Sequence, residues 1–140
     1  MTHSLREQLL QVVVARLMAA IAPVPVQRSP TVALTRDQAP AMLLFADSDE
    51  VTDRPNDRVE RQLILRVVAL VRSTETDADA LLVTAHSALM ADTTLDGLAL
   101  DLTELDSEWE LEDADSDAVA IANRYAVRYR TLKHDLTQRG

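Results

Sequence analysis

Carboxylates are the most abundant reactive side chains in this sequence, and a dense run of them extends from Glu108 to Asp117. Within it, Asp113, Asp115 and Asp117 alternate, as the oxygen ligands of calcium-binding loops do. The run lacks the glycine and the distant bidentate glutamate of an EF-hand. We therefore favour a solvated acidic turn, and Ca²⁺ binding stays open as an alternative.

The residues and motifs that other kinds of catalysis require are missing from the sequence. The chain has no cysteine, which excludes thiolate zinc sites and cysteine nucleophiles, and only two glycines, which excludes a glycine-rich phosphate loop. No serine lies in a GxSxG elbow, and one Trp, two Tyr and one Phe are too few for the sugar platforms of a glycosidase. The histidines, His3, His86 and His134, are far apart. The sequence thus predicts a protein that is not an enzyme, with no catalytic residue, metal or cofactor.

Charge is segregated along the chain, whose formal net charge is −9. The segment Ser73 to Asn123 has fourteen Asp or Glu and no Lys or Arg, whereas Arg124 to Gly140 has five basic residues and one acid, Asp135. One copy could offer its basic patch to the acidic patch of another. The alternative is a set of solvated faces or cross-strand ion pairs within one chain. An acidic chain with few aromatics disfavours nucleic-acid binding, although its surface would let DNA slide past without sticking.

Two helices are predicted. The first runs from Ser4 to about Ala22, with Ser4 and Glu7 at the spacing of a capping box, and it ends at Pro23. This N-terminal stretch is too polar and too short to span a membrane, so we expect a soluble cytoplasmic protein. The second helix is capped by Thr76 or Asp77, runs to about Ala91 and buries a stripe of apolar residues, namely Ala78, Leu81, Leu82, Ala85 and Leu89.

The strands centre on one long segment, Arg58 to Arg72, in which apolar residues of one parity would face a core. Before it we expect an edge strand at Val24–Arg28, a surface loop at Ser29–Pro40, a strand at Ala41–Ala46 and a polar loop at Asp47–Asp57. The long strand and the one before it would form a wide hairpin.

A second hairpin closes the predicted domain. Its first strand changes parity near Thr103–Glu104, which indicates a β-bulge, and its second strand runs from Val119 to Thr131. Leu132 to Gly140 is predicted to be a polar tail. The predicted fold is α+β, a single mostly antiparallel sheet of about five strands with two helices packed on one face. The expected organisation is one domain over residues 1–140, folded over about 4–131.

The chain resembles the tail terminator proteins of tailed phages, the family of minor tail protein U and its relatives. The resemblance covers about residues 4–131 and is carried by SLREQLLQVVVARL, RVERQLILRVVALVR, DADALLVTAHSALM and the closing pair ELDSEWELEDADSDAVAIANRYAVRYRT. In that pair a Trp-bearing acidic strand and an acidic turn precede a strand that ends RYAVRYR.

This resemblance implies a ring, usually a hexamer, that caps the head-facing end of the tail tube in the virion after assembly in the host cytoplasm. Its partners would be other copies of itself, the tail tube protein and the head connector, with no membrane, and DNA would pass through the hole without specific binding. A closed ring requires two different complementary patches on each subunit. We expect subunit contacts to involve Arg124, Arg128, Arg130, Glu108, Glu110 and Glu112. We expect the hole to be lined by the loop Asp47–Asp57, through Asp47, Asp49 and Glu50, or by the turn Asp113–Asp117, through Asp113, Asp115 and Asp117.

Two other classes stay open. A head–tail connector or neck protein would be a close variant. A monomeric or dimeric module that holds a basic partner or Ca²⁺ on its acidic face is the alternative from a different class, and an enzyme comes last.

Overall fold

The computed structural model describes residues 2–29, 39–111 and 118–140, apart from the side chains of Glu110 and Leu111. Within these residues two helices, α1 (Leu5–Ile21) and α2 (Glu75–Met90), pack on one face of a six-stranded sheet. The strands are β1 (Val26–Arg28), β2 (Ala41–Asp53), β3 (Arg58–Val71), β4 (Asp101–Leu111), β5 (Val119–Leu132) and β6 (Asp135–Arg139). The predicted α+β class is confirmed.

The sheet has the order β1-β2-β3-β5-β4, and β6 also pairs with β5. Only the pairing of β1 with β2 is parallel among the described strands. The two central strands, β3 and β5, are paired along their whole length, from Arg58 opposite Leu132 to Val71 opposite Val119. The long predicted strand is thus the centre of the sheet.

The main core lies between the helices and the odd-numbered residues of the central strands. Leu63, Leu65 and Val67 of β3 are buried there with Tyr125 and Val127 of β5. From the helices come Leu9, Val13 and Leu17 of α1 and Ala78, Leu82, Ala85 and Leu89 of α2. A smaller apolar cluster lies on the other face, formed by Ala41, Leu43, Val68, Leu70, Ala120 and Ala122. Period-2 alternation therefore separates two faces, as the sequence predicts.

Both helices begin at a hydroxyl cap. Ser4 Oγ accepts from the Glu7 backbone N–H at 3.1 Å, as predicted. The Glu7 carboxylate, however, accepts from Arg28 Nη1 and Nη2 at 2.7 and 2.9 Å, so it is used to join α1 to β1. The predicted cap of α2 is wrong, because Thr74 accepts from the Asp77 backbone N–H at 3.3 Å and the helix starts at Glu75. Asp77 is thus the third residue of the helix.

The predicted polar loop Asp47–Asp57 is wrong for most of its length. β2 continues to Asp53 against β3, with a register shift between Ala46 and Ser48. Charged residues are tolerated here because this part of β2 is a sheet edge, where charges also block unwanted pairing. The actual turn is residues 54–57, in which Asn56 and Asp57 have φ of 45° and 63°.

The predicted polar tail is also wrong, because residues 135–139 form β6. β4 begins at Asp101 opposite Arg128, so the edge of β5 beyond that point is available for pairing. Asp135 stabilises the new turn by accepting from Thr137 N and Oγ1 at 2.9 and 2.6 Å.

Three smaller expectations can be placed. The bulge lies between Glu104 and Asp106, next to the predicted change of parity. Of the predicted loop Ser29–Pro40, residues 30–38 are outside the described part of the chain. Among the described residues, neither α1 nor α2 combines the length and the hydrophobicity of a membrane-spanning helix.

Candidate assembly surfaces

The sheet face opposite the helices, here called the open face, carries arginines on the central strands and carboxylates on the outer ones. Arg66 of β3 lies directly opposite Arg124 of β5. Two like charges in such a cross-strand pair destabilise a sheet unless each has a counter-charge. Each of them does, since Arg66 Nε lies 3.3 Å from Asp47 of β2 and Arg124 pairs with Asp106 of β4.

The pair of Arg124 and Asp106 has two-point geometry. Arg124 donates from Nε to Oδ1 at 2.7 Å and from Nη2 to Oδ2 at 2.6 Å. These hydrogen bonds lower the pKa of the Asp106 carboxyl below its ordinary value and raise the pKa of the guanidinium. Arg124, proposed from sequence as a subunit contact, is therefore engaged within its own chain.

The other two arginines proposed for subunit contacts differ from each other. Arg130 Nε donates to Glu60 Oε1 on the neighbouring strand β3 at 3.1 Å. Arg128 is exposed and has no ion pair with any residue that the structure describes. Of the three, Arg128 alone presents an unneutralised charge on the open face, as far as the described residues show.

The proposed acidic contacts lie on β4 or beyond it. Glu108 is exposed on the open face, with Oε1 3.9 Å from Arg124 Nε. Glu110 also belongs to β4, opposite Ala120, but its side chain is outside what the structure describes. The same holds for the whole of Glu112, and for the hole-lining candidates Asp113, Asp115 and Asp117.

The three hole-lining candidates on β2 point in different directions. Asp47 meets Arg66, and Glu50 is exposed beside Gln62 on the open face. Asp49 turns to the helix side, where its carboxylate is largely buried, accepts from Tyr129 Oη at 2.5 Å and pairs with Arg6 at 3.0 Å. Only Glu50 of these three contributes an exposed carboxylate without an ion pair to a described residue.

A surface that sequence reasoning missed lies between α2 and β4. This α2–β4 cleft has a volume of about 280 Å³ and is open to solvent. Val83 of α2 and Trp109 of β4 line it and are 59% and 58% exposed. At its base, His86 Nδ1 lies 2.8 Å from Tyr125 Oη, and its ring stacks on the tyrosine ring. Two large apolar side chains of this cleft thus face solvent, near a histidine that contacts a buried tyrosine.

The α2–β4 cleft is acidic. Asp79 and Glu104 line it, and every lining residue falls between Ser73 and Asn123, the segment without Lys or Arg. Glu104 Oε2 lies 3.7 Å from His86 Nδ1. A partner that fills this cleft would gain by bringing an apolar group together with positive charge.

A second surface has the opposite charge. It is the end of β5 with the turn and β6, residues 132–139, here called the C-terminal hairpin. Leu136 is 49% exposed, and Lys133, His134 and Arg139 of the same hairpin are also exposed. Arg139 Nη1 donates to the Gly97 carbonyl, which fastens the hairpin to the turn before β4.

The parity change in β4 is the one signal by which sequence could have found the cleft. After the bulge, Trp109 lies on the helix side of the sheet opposite Ile121, but α2 does not extend over it. The reach of α2 over the sheet is set by packing, so sequence alone would place Trp109 in the core. The C-terminal hairpin gives only a weak signal, because β6 has five residues.

No group of three or more His, Cys, Asp or Glu residues in the described part of the chain could hold a metal ion. His86, the one histidine away from the ends, is engaged with Tyr125. What the described residues offer is therefore two surfaces of opposite charge.

No protein family in the comparison matches the chain, and no curated protein matches it in sequence. Among solved structures, a chain from the "Virion of native gene transfer agent (GTA) particle" is similar over 91% of this chain and 92% of that chain. The TM-score is 0.45 and the sequence identity 13%, a level of likeness that does not assign a function.

Proposed function

We propose that this chain is a structural protein of a phage or prophage particle, a tail terminator that closes the head-proximal end of the tail tube as a homo-oligomeric ring, with six subunits as the expected number. The proposal rests on one observation: the chain carries an acidic apolar surface, the α2–β4 cleft, and a separate basic apolar surface, the C-terminal hairpin. The sequence resemblance to tail terminators is the reason for proposing this kind of ring.

Two different surfaces favour a ring over a symmetric dimer. An isologous dimer uses the same patch on both subunits, whereas a ring requires two unlike patches that fit each other. Like charges would face each other if two acidic clefts, or two basic hairpins, met. Head-to-tail assembly avoids both situations, and it closes when the rotation between neighbours divides a full turn.

The charge of the chain fits a ring that DNA passes through. With a formal net charge of −9, the surface repels phosphate on average. The exposed Glu50 and the acidic segment beyond β4 are the candidates to line the hole. Passage without specific binding needs no aromatic or arginine-rich base-reading surface, and the chain has one Trp, two Tyr and one Phe.

In this proposal one face of the ring meets the last ring of the tail tube and stops its polymerisation, and the other face docks the head connector. The test is to polymerise the tail tube protein of the same virus with and without this chain and to image the products by electron microscopy. We expect tubes with one capped end that no longer elongate. Tubes that grow equally long with two bare ends would contradict the proposal.

A second candidate is an acidic binding module for a basic partner, which the α2–β4 cleft favours because its lining contains no lysine or arginine. Such a module would be monomeric or dimeric when alone and would not change tube growth. The tube experiment therefore separates it from a terminator.

A further inference from the structure

The α2–β4 cleft and the C-terminal hairpin are complementary, and we infer that the C-terminal hairpin of one copy docks into the α2–β4 cleft of the next. This inference rests on the proposed function and names the subunit contact of the ring. It replaces the arginine face suggested by sequence with a different pair of surfaces.

The cleft supplies the receiving side. Trp109 and Val83 expose more than half of their surface on opposite walls, one on β4 and one on α2. Burying such side chains removes apolar area from water, and tryptophan is one of the residues enriched among the hot spots of protein interfaces. Asp79 and Glu104 line the same cleft and would attract a cationic insert.

The hairpin supplies the inserted side. Leu136 exposes 49% of its surface in the same hairpin as Lys133 and Arg139. Lys133 has no ion pair with any described residue, so its charge is available to a partner. The single acid of the hairpin, Asp135, is occupied by Thr137, whose N–H and hydroxyl both donate to it. These hydrogen bonds lower the pKa of Asp135 and keep it charged, so Lys133 and Arg139 against Asp135 leave the hairpin a net charge of +1.

One chain cannot fill its own cleft. Asn123 of β5 lines the cleft, and the hairpin begins at Leu132, nine residues farther along the same strand. At about 3.3 Å per residue the two surfaces are about 30 Å apart. The hairpin is also fastened at the opposite end of the molecule, by Arg139 to Gly97 and by the Gly140 N–H to the Arg130 carbonyl at 3.1 Å. The contact must form between copies.

Strand addition between sheet edges is the competing way for two copies to meet. β1 and β6 are short edge strands of three and five residues, and the long outer edges are β4, with Asp106 and Glu108, and the far half of β2, with Glu50 and Asp53. Acidic side chains would face each other across such a junction, which destabilises strand pairing. Docking of a basic hairpin in an acidic cleft avoids this repulsion.

Chemical cross-linking tests the contact directly, because the chain has no cysteine of its own. Val83→Cys marks the cleft and Leu136→Cys marks the hairpin; both positions are exposed, so neither change should disturb folding. A short bis-maleimide should link the two variants when they are mixed, giving a dimer of twice the 15.5 kDa chain mass. Each variant alone should give none. Met18→Cys, on the exposed side of α1, is the matched control and should link to neither.

Three results would overturn the inference: dimers of either variant with itself, no dimers in the mixture, or equal linking of the Met18→Cys control.

A charge exchange gives a second test. Lys133→Glu and Glu104→Lys should each reduce linking several-fold when carried by every chain in the mixture, and the two together should restore it. Tube capping by the wild-type chain is scored separately. Capping without cross-linking would support the terminator proposal and reject this subunit contact. Cross-linking without capping would support the contact and reject the terminator proposal.

Discussion

Arg124 of β5 donates two hydrogen bonds, of 2.7 and 2.6 Å, to Asp106 of β4. The pair joins the basic C-terminal segment of the chain, Arg124 to Gly140, to the acidic segment Ser73 to Asn123. The charge segregation in the sequence is thus partly neutralised within one sheet, and the surfaces left for other molecules are those whose charges have no internal partner.

The two-point pair should contribute to stability in a way that a lone arginine on the same strand does not. Arg124→Ala should lower the midpoint of urea unfolding, because Asp106 loses both hydrogen bonds and Arg66 loses none of its own. Arg128→Ala is the matched control, since Arg128 has no ion pair with a described residue, and its midpoint should match the wild type. Equal midpoints for the two variants would contradict this account of the open face.

The hydroxyl of Tyr129 should contribute to the stability of the fold. Its Oη donates to the mostly buried Asp49, so Tyr129→Phe leaves a buried carboxylate with one partner fewer and should destabilise the fold by about 2 kcal/mol. Tyr125→Phe is the control, because its hydroxyl contacts His86, which is part-exposed and can bind water instead. Burial raises the pKa of the Tyr129 phenol, and Asp49 raises it further, so this hydroxyl stays protonated in ordinary buffers. A smaller loss for Tyr129→Phe than for Tyr125→Phe would refute the assignment.

Acid should weaken the turn before β4. Asp92 accepts hydrogen bonds from Thr94 Oγ1 at 2.6 Å and from the N–H groups of Thr94 and Asp96 at 3.0 Å, and it pairs with Arg16 at 3.0 Å. These contacts hold the pKa of its carboxyl well below the ordinary 3.8. Because the folded pKa is the lower one, the stabilisation is complete above about 3.8 and disappears as the pH falls through the folded value.

The check is urea unfolding of wild type and Asp92→Asn between pH 7 and pH 2. The variant should be less stable than wild type at pH 7, and the difference should shrink towards pH 2. Parallel profiles at all pH values would show that Asp92 is not the group responsible.

The last residues should exchange their amide protons slowly. The Gly140 N–H donates to the Arg130 carbonyl, and Thr131 pairs with Arg139 across β5 and β6. Hydrogen exchange followed by NMR should show protection at Gly140, and at Lys133, whose N–H donates to the Asp57 carbonyl at 2.7 Å, above that of the exposed turn residue His134. Exchange at the rate of an unstructured chain throughout residues 133–140 would favour a polar tail instead.

Period-2 and helical alternation predicted the long strand, both helices and the two core faces, because burial imposes those patterns directly. The same reasoning gave wrong predictions for segments whose structure depends on pairing with a neighbouring strand. Asp47–Asp53 has a loop-like composition but continues as a strand because β3 lies beside it, and β6 forms because β4 leaves the end of β5 unpaired. The exposure of Trp109 depends on where α2 lies, which no local pattern encodes.

The central claim is that the chain assembles head-to-tail into a ring, and its solution mass tests that claim most directly. Light scattering after size exclusion should be run at low and at moderate salt, because attraction between the acidic cleft and the basic hairpin is screened by added salt. We expect a mass near six times 15.5 kDa at low salt and smaller species as salt rises. A mass of 15.5 kDa at every salt and protein concentration, even with tail tubes present, would contradict the account.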